Sequence, residues 1–135
     1  MLYIPRRIET RDNRDSLINI NSDVNLIYQN KTVTSLLDSI PLITLILNKF
    51  RQILFCNKAY HTLTSTEPQK IVLGLRPGEL FGCAYHQESI DGCGESEHCR
   101  YCQVVCAIRE AQSSHKQVTT ESRLTLLQNN VEVSV

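Results

Sequence analysis

The chain has 135 residues, of which 41% are hydrophobic and 21% charged, with 14 basic side chains balanced by 14 acidic ones. That profile is of a soluble globular chain rather than a disordered tail, and its zero net charge argues against sequence-independent nucleic-acid binding, which needs a basic surface. The longest apolar stretch, residues 40–47, has eight residues and contains Pro41 and Thr44, far short of the roughly 20 needed to span a bilayer.

The first 15 residues are charged, contain Pro5 and lack an apolar signal core; they read as an arm, and a cytoplasmic, reducing location is expected. Leu17, Ile20, Val24 and Ile27 follow at helical spacing and form a narrow seam, suited either to packing on the chain's own domain or to pairing two copies as a homodimer. Lys31 and Thr34 interrupt that seam, and Val33, Leu36, Leu37 and Ile40 continue the helical spacing on a shifted face until Pro41 stops it. Residues 42–47 and 52–56 are short apolar runs around a turn-like Asn48-Lys49-Phe50-Arg51, which predicts a hairpin. Asn57 suits the N-cap of a short helix over 58–63. Polar punctuation at 64–68 and an apolar segment at 71–75 lead to one helical turn near 76–81. A helix is predicted over 97–112, with Ser96 as its N-cap and Tyr101, Val104, Val105, Ile108 and Ala111 on its apolar face. Strands are predicted over 118–127 and 131–135, the second alternating cleanly. The order implies class α+β, an antiparallel sheet with helices on one side.

Cysteine is the informative excess. Of the six, Cys83, Cys93, Cys99 and Cys102 fall within twenty residues as Cys-x9-Cys-x5-Cys-x2-Cys. Gly92 and Gly94 among them allow a tight fold with positive φ. If Cys99 and Cys102 open a helix, its dipole favours their thiolates, the form that binds metal or meets an oxidant. Four thiolates suit a zinc ion or an iron-sulfur cluster; redox-reversible thiols and reduced structural cysteines are the other readings. His86 and His98 are reserve ligands, Cys106 is a candidate resolving thiol one turn past Cys102, and Cys56 reads as a core thiol.

From residue 36 onward the chain resembles a PAS sensory domain. The resemblance rests on Leu37-Asp-Ser-Ile-Pro-Leu-Ile-Thr-Leu-Ile-Leu-Asn and on Arg51-Gln-Ile-Leu-Phe-Cys-Asn-Lys-Ala-Tyr, with its Asn-x-Ala helix start. Gly74-Leu-Arg-Pro-Gly-Glu-Leu-Phe-Gly-Cys, Gly92-Cys-Gly-Glu-Ser-Glu-His-Cys-Arg-Tyr-Cys and Ala107-Ile-Arg-Glu-Ala look like a cysteine-containing PAS subgroup of bacterial sensor histidine kinases and related signalling proteins. Gln103 departs from the glycine usual after the last cysteine. The resemblance implies a five-stranded antiparallel sheet, a pocket between sheet and helices, and an N-terminal helix that dimerises and relays signal. Residues 1–35 would then be arm and signalling helix, and 36–135 the PAS domain, with its last strand truncated.

The resulting expectation is a redox- or metal-responsive sensor, part of a two-component system, relaying to a separate effector such as a histidine kinase. No kinase phosphoacceptor segment or phosphate loop is recognisable, so no catalysis is expected in this chain. The competing enzyme reading is a small thiol oxidoreductase with Cys99 or Cys102 as nucleophile and His98 or His86 as base; a purely structural zinc site is the third. A nucleic-acid-binding zinc module fits poorly, because Glu88, Asp91, Glu95 and Glu97 outnumber Arg100 around the cysteines and would repel phosphate.

Overall fold

The computed structural model describes residues 14–64, 73–128 and 131–134. Expectations that fall on 1–13, 65–72, 129–130 and 135, including most of the arm, lie outside the described residues. The chain divides into two compact units, Met1–Leu75 and Arg76–Val135. The class is α+β: among the described residues there are five α-helices and two antiparallel sheets of two strands each. No helix among them is long and apolar enough to cross a membrane.

In the first unit, α1 (Leu17–Gln29) starts at Ser16, whose side chain accepts from Asn19 N, and ends at Asn30, which also caps α2 (Lys31–Ser39) through Val33 N. One asparagine closes one helix and opens the next. The hairpin pairs β1 (Leu45–Leu47) with β2 (Ile53–Cys56), slipping by a bulge between Ile46 and Leu47. Its turn is built by Asn48, whose Oδ1 accepts from Phe50 N and Gln52 N, both at 2.9 Å. Arg51 takes the left-handed conformation, φ 65°, that returns a hairpin turn to its strand.

All of β2 is buried. Ile20, Val24, Leu54 and Leu73 form the core of this unit, with Ile27 and Ile46 packed against it. The seam expected to serve dimerisation therefore faces its own unit: Ile20 and Val24 are buried, Leu17 and Ile27 half-buried. The reason is local, since α1 lies beside β2, whose apolar side chains need a cover. The helix and the hairpin thus share one core within this unit. Cys56 belongs to the same buried strand, and burial pushes its thiol up to about 12, as the core-thiol reading requires.

The helix α3 (Lys58–Thr64) begins as Asn57 predicts, with Asn57 Oδ1 accepting from Tyr60 N at 3.3 Å. Asn57 is fully buried. Its Nδ2 donates toward the carbonyls of Leu37, Ile40 and Leu42 at 2.9–3.1 Å, and Oδ1 also accepts from Thr44 N at 3.0 Å. One side chain thus ties the end of α2, the entry to β1 and the start of α3.

The second unit opens with α4 (Pro77–Phe81), closed by Gly82 in the left-handed region. A loop follows to a 3-10 turn, Glu97–Tyr101, then α5 (Gln103–Ser114) and the hairpin of β3 (Thr125–Gln128) with β4 (Val131–Ser134). Two expectations are corrected here. The helix predicted over 97–112 is broken at Cys102, which is extended (φ -72°, ψ 113°) and caps α5; the Ser96 hydroxyl makes no cap and instead lies 3.2 Å from Cys99 Sγ. Tyr101, assigned to the apolar face, is 81% exposed. Residues 118–124 form no strand, although their β-branched residues suggest one.

Candidate functional site

Four segments of the second unit bring the clustered cysteines to one cavity. Cys83 leaves α4 and lies along β3: Ala84 N donates to Thr125 O and Leu127 N to Gly82 O, both at 2.8 Å. Cys93 sits between Gly92 and Gly94, whose φ values of 85° and 94° are the left-handed geometry the sequence reading assigned them. Cys99 comes from the 3-10 turn and Cys102 from the cap of α5. All four line a cavity of about 330 Å³ whose other walls include Phe81, Val104, Val105 and Leu124.

The sulfurs are met by backbone donors. Gly94 N–H reaches Cys99 Sγ at 3.3 Å in a buried contact. The Gly78 N–H bonds the Cys93 thiol, and those of Tyr85 and His86 bond Cys83. Burial pushes Cys93 up to about 11, opposed by the Gly78 N–H and reinforced by Cys99, Glu79 and Cys83. For Cys83 burial again raises the pKa most, the Tyr85 and His86 amides oppose it, and Cys102 and Cys99 add to the rise. These thiols are therefore near enough to repel one another as thiolates, within a frame of amides that accommodates negative sulfur. A cation among them would reverse that balance, because a metal deprotonates the thiol it binds.

Gly78 provides a fit test for such a centre. A Cβ built on it would lie 2.7 Å from Cys93 Sγ, 3.2 Å from Cys93 Cβ and 3.3 Å from Cys83 Cβ, so the missing side chain makes room for two of the four cysteines. In an ordinary helix Gly→Ala gains about 1 kcal/mol. Here Gly78→Ala is expected to destabilise the second unit by about 1–3 kcal/mol through overpacking and to weaken metal binding. Denaturant titration with metal titration of the same protein checks both; a more stable variant with unchanged binding would remove Gly78 from the site.

Arg76 and Glu79 hold the frame. Arg76 is buried to 1% exposure, and its Nη1 donates to Asp91 O at 3.2 Å and Cys93 O at 3.0 Å, with Glu95 Oε1 at 3.5 Å. The Glu79 carboxylate accepts from Arg76 N at 2.9 Å and Cys93 N at 3.3 Å. From α5, Arg109 Nη2 donates to Gly94 O at 3.1 Å. Sequence reasoning assigned no role to Arg76, Gly78, Glu79 or Arg109; the signals were the Arg-Pro-Gly-Glu and Ala-Ile-Arg-Glu-Ala strings that hold them.

Both reserve histidines line the cavity. His98 is engaged elsewhere, stacked on Tyr85 at 4.0 Å between centroids and bonded through Nδ1 to Glu88 Oε2 at 2.7 Å. Cys106 is exposed, its thiol donating to Arg100 O at 3.6 Å, and is not among the cavity residues. Among the described residues, no three or more His, Cys, Asp or Glu side chains are arranged to hold a metal ion.

Comparison with family models, with curated proteins and with solved structures finds no match to this chain.

Proposed function

We propose that the chain is a sensory module of PAS type in which Cys83, Cys93, Cys99 and Cys102 form a metal- or redox-responsive thiolate centre, read out by a separate signalling effector such as a histidine kinase. The observation that carries this reading is the convergence of four cysteines on one largely apolar cavity, with backbone N–H groups directed at three of the sulfurs. Soft thiolate donors select zinc, copper(I) or iron-sulfur clusters over magnesium or calcium. The carboxylates of Glu79, Glu88 and Glu95 all have nitrogen partners outside this donor set. When bound, zinc would clamp the loop, whereas an iron-sulfur cluster would add a redox response.

The chain's own residues do the remainder. The amides stabilise negative sulfur, the apolar wall limits water, and Arg76 with Arg109 fixes the loop. A sensor needs two states that its ligand distinguishes, and on this reading they would be the filled and empty arrangements of the four cysteines. The two hairpins, β1–β2 and β3–β4, and the Asn57-capped helix are the pieces that the PAS reading calls for.

The test is elemental analysis and an absorption spectrum of the protein purified without oxygen. Iron with sulfide supports a redox cluster, and zinc alone a thiolate clamp. A chain that binds neither, and also fails to take up zinc or a reconstituted cluster, overturns the metal reading.

A further inference from the structure

The Cys93–Gly94 peptide is gripped at both ends. Its carbonyl accepts from the buried Arg76 guanidinium at 3.0 Å, and its N–H points to Cys99 Sγ at 3.3 Å. In a trans peptide the C=O and N–H bonds point in opposite directions along one resonant unit, so a cation at the oxygen withdraws density from the nitrogen and makes the N–H a stronger donor. Hydrogen bonds linked in this way strengthen one another, most of all where the local dielectric is low. Arg76 is buried, and so is the Gly94–Cys99 contact. The neighbouring Gly94–Glu95 peptide supplies an internal comparison. Its carbonyl also accepts from an arginine, Arg109, at 3.1 Å, but its N–H goes to Gly92 O at 3.3 Å and meets no sulfur.

We propose that Arg76 is a positioning residue that tunes the Cys99 sulfur as a metal ligand through the Cys93–Gly94 peptide. This rests on the thiolate-centre reading above. Arg76 makes the sulfur a weaker electron donor and lets it carry negative charge at less cost, while Arg109 only braces the loop. Glu95 Oε1 lies 3.5 Å from both Arg76 Nη1 and Arg109 Nη2, and its charge is felt more strongly by the buried Arg76 than by the half-exposed Arg109.

Cobalt(II) is the probe, titrated into the full reduced chain, with affinity and the sulfur-to-cobalt charge-transfer band read together. Wild type is expected to give a thiolate band. Arg76→Gln is expected to bind about 10–100-fold more weakly, the usual effect of removing a partner behind a ligand, and to shift the band to lower energy because its sulfur donates more. Arg109→Gln is expected to leave the band in place. Should Arg76→Gln fail to fold, Arg76→Lys decides, with a smaller shift in the same direction because the shorter lysine side chain brings its charge less close to the Cys93 carbonyl. Weaker binding with an unmoved band in the Arg76 variants, or an equal shift in Arg109→Gln, overturns the tuning role. The absence of any thiolate band in wild type overturns the centre itself, and is visible before a variant is made.

Discussion

Cys93→Ser, Cys99→Ser and Cys102→Ser are each expected to abolish metal uptake by the reduced chain, whereas Cys56→Ser is expected to keep it. This is the largest effect expected of single substitutions here. A structural zinc-thiolate site contributes about 10–16 kcal/mol of apparent binding free energy, and each lost thiolate removes both a bond and the charge that offset the cation. Metal bound by the native state stabilises it by mass action, so the three variants also lose the metal-dependent rise in melting temperature. Cys56 provides the control because it is buried in β2 of the other unit and held as a neutral thiol, its pKa near 12. A serine hydroxyl left without a partner there costs about 1–3 kcal/mol, a loss that metal does not restore. Metal per chain by elemental analysis, measured beside melting curves with and without zinc, checks the set. Equal metal loss in all four variants would refute the assignment.

Asn57→Ala is expected to destabilise the first unit by about 2–4 kcal/mol, since the Ile40 carbonyl and the Thr44 amide lose the Asn57 side chain together. The Leu37 and Leu42 carbonyls and the Tyr60 amide lose one of two partners: Leu37 O keeps Ile40 N, Leu42 O keeps the Thr44 hydroxyl and Tyr60 N keeps the Asn57 carbonyl. Aspartate would keep the acceptor, so Asn57→Asp separates the two roles: it retains the cap on α3 but turns a carboxylate toward three carbonyls, and it is expected to be nearly as damaging. Urea unfolding of the three proteins measures the difference. An Asn57→Ala loss under about 1 kcal/mol, the size of a simple N-cap, would show that the links to α2 and β1 carry little.

Much of the first unit was legible because its signals are local. Pro41, the Asn48 turn and Asn57 mark boundaries within a few residues of themselves, and the structure puts the end of α2, the hairpin and the start of α3 at those marks; the double cap at Asn30 was not legible, the interruption being placed at Lys31 and Thr34. The seam of α1 was legible as a seam, but its partner was not: whether Ile20 and Val24 meet Leu54 or a second chain is decided by residues thirty positions away. In the second unit the cysteine spacing and the two glycines indicated a shared loop. The break at Cys102 was hidden, since residues 97–114 carry an uninterrupted helical pattern and Ser96 looks like a cap until its oxygen is found beside a sulfur. Arg76 and Gly78 were hidden for a different reason. Arginine is ordinarily a surface residue, and the value of a missing Cβ depends on cysteines that arrive later in the chain. A single five-stranded sheet, implied by the resemblance, remains part of the proposal; the described strands form two separate pairs.

Cys83 occupies two structures at once. Its sulfur belongs to the cavity wall, while its backbone lies on the margin of β3, flanked by the bonds from Ala84 N to Thr125 O and from Leu127 N to Gly82 O. A pull on that sulfur therefore arrives at the hairpin as shear across two backbone bonds, with no intervening side chain to absorb it. The amides of Ala84 and Leu127 are thus placed as strain gauges for the cavity, and their hydrogen-exchange rates are expected to change when a metal or thiol reagent engages Cys83.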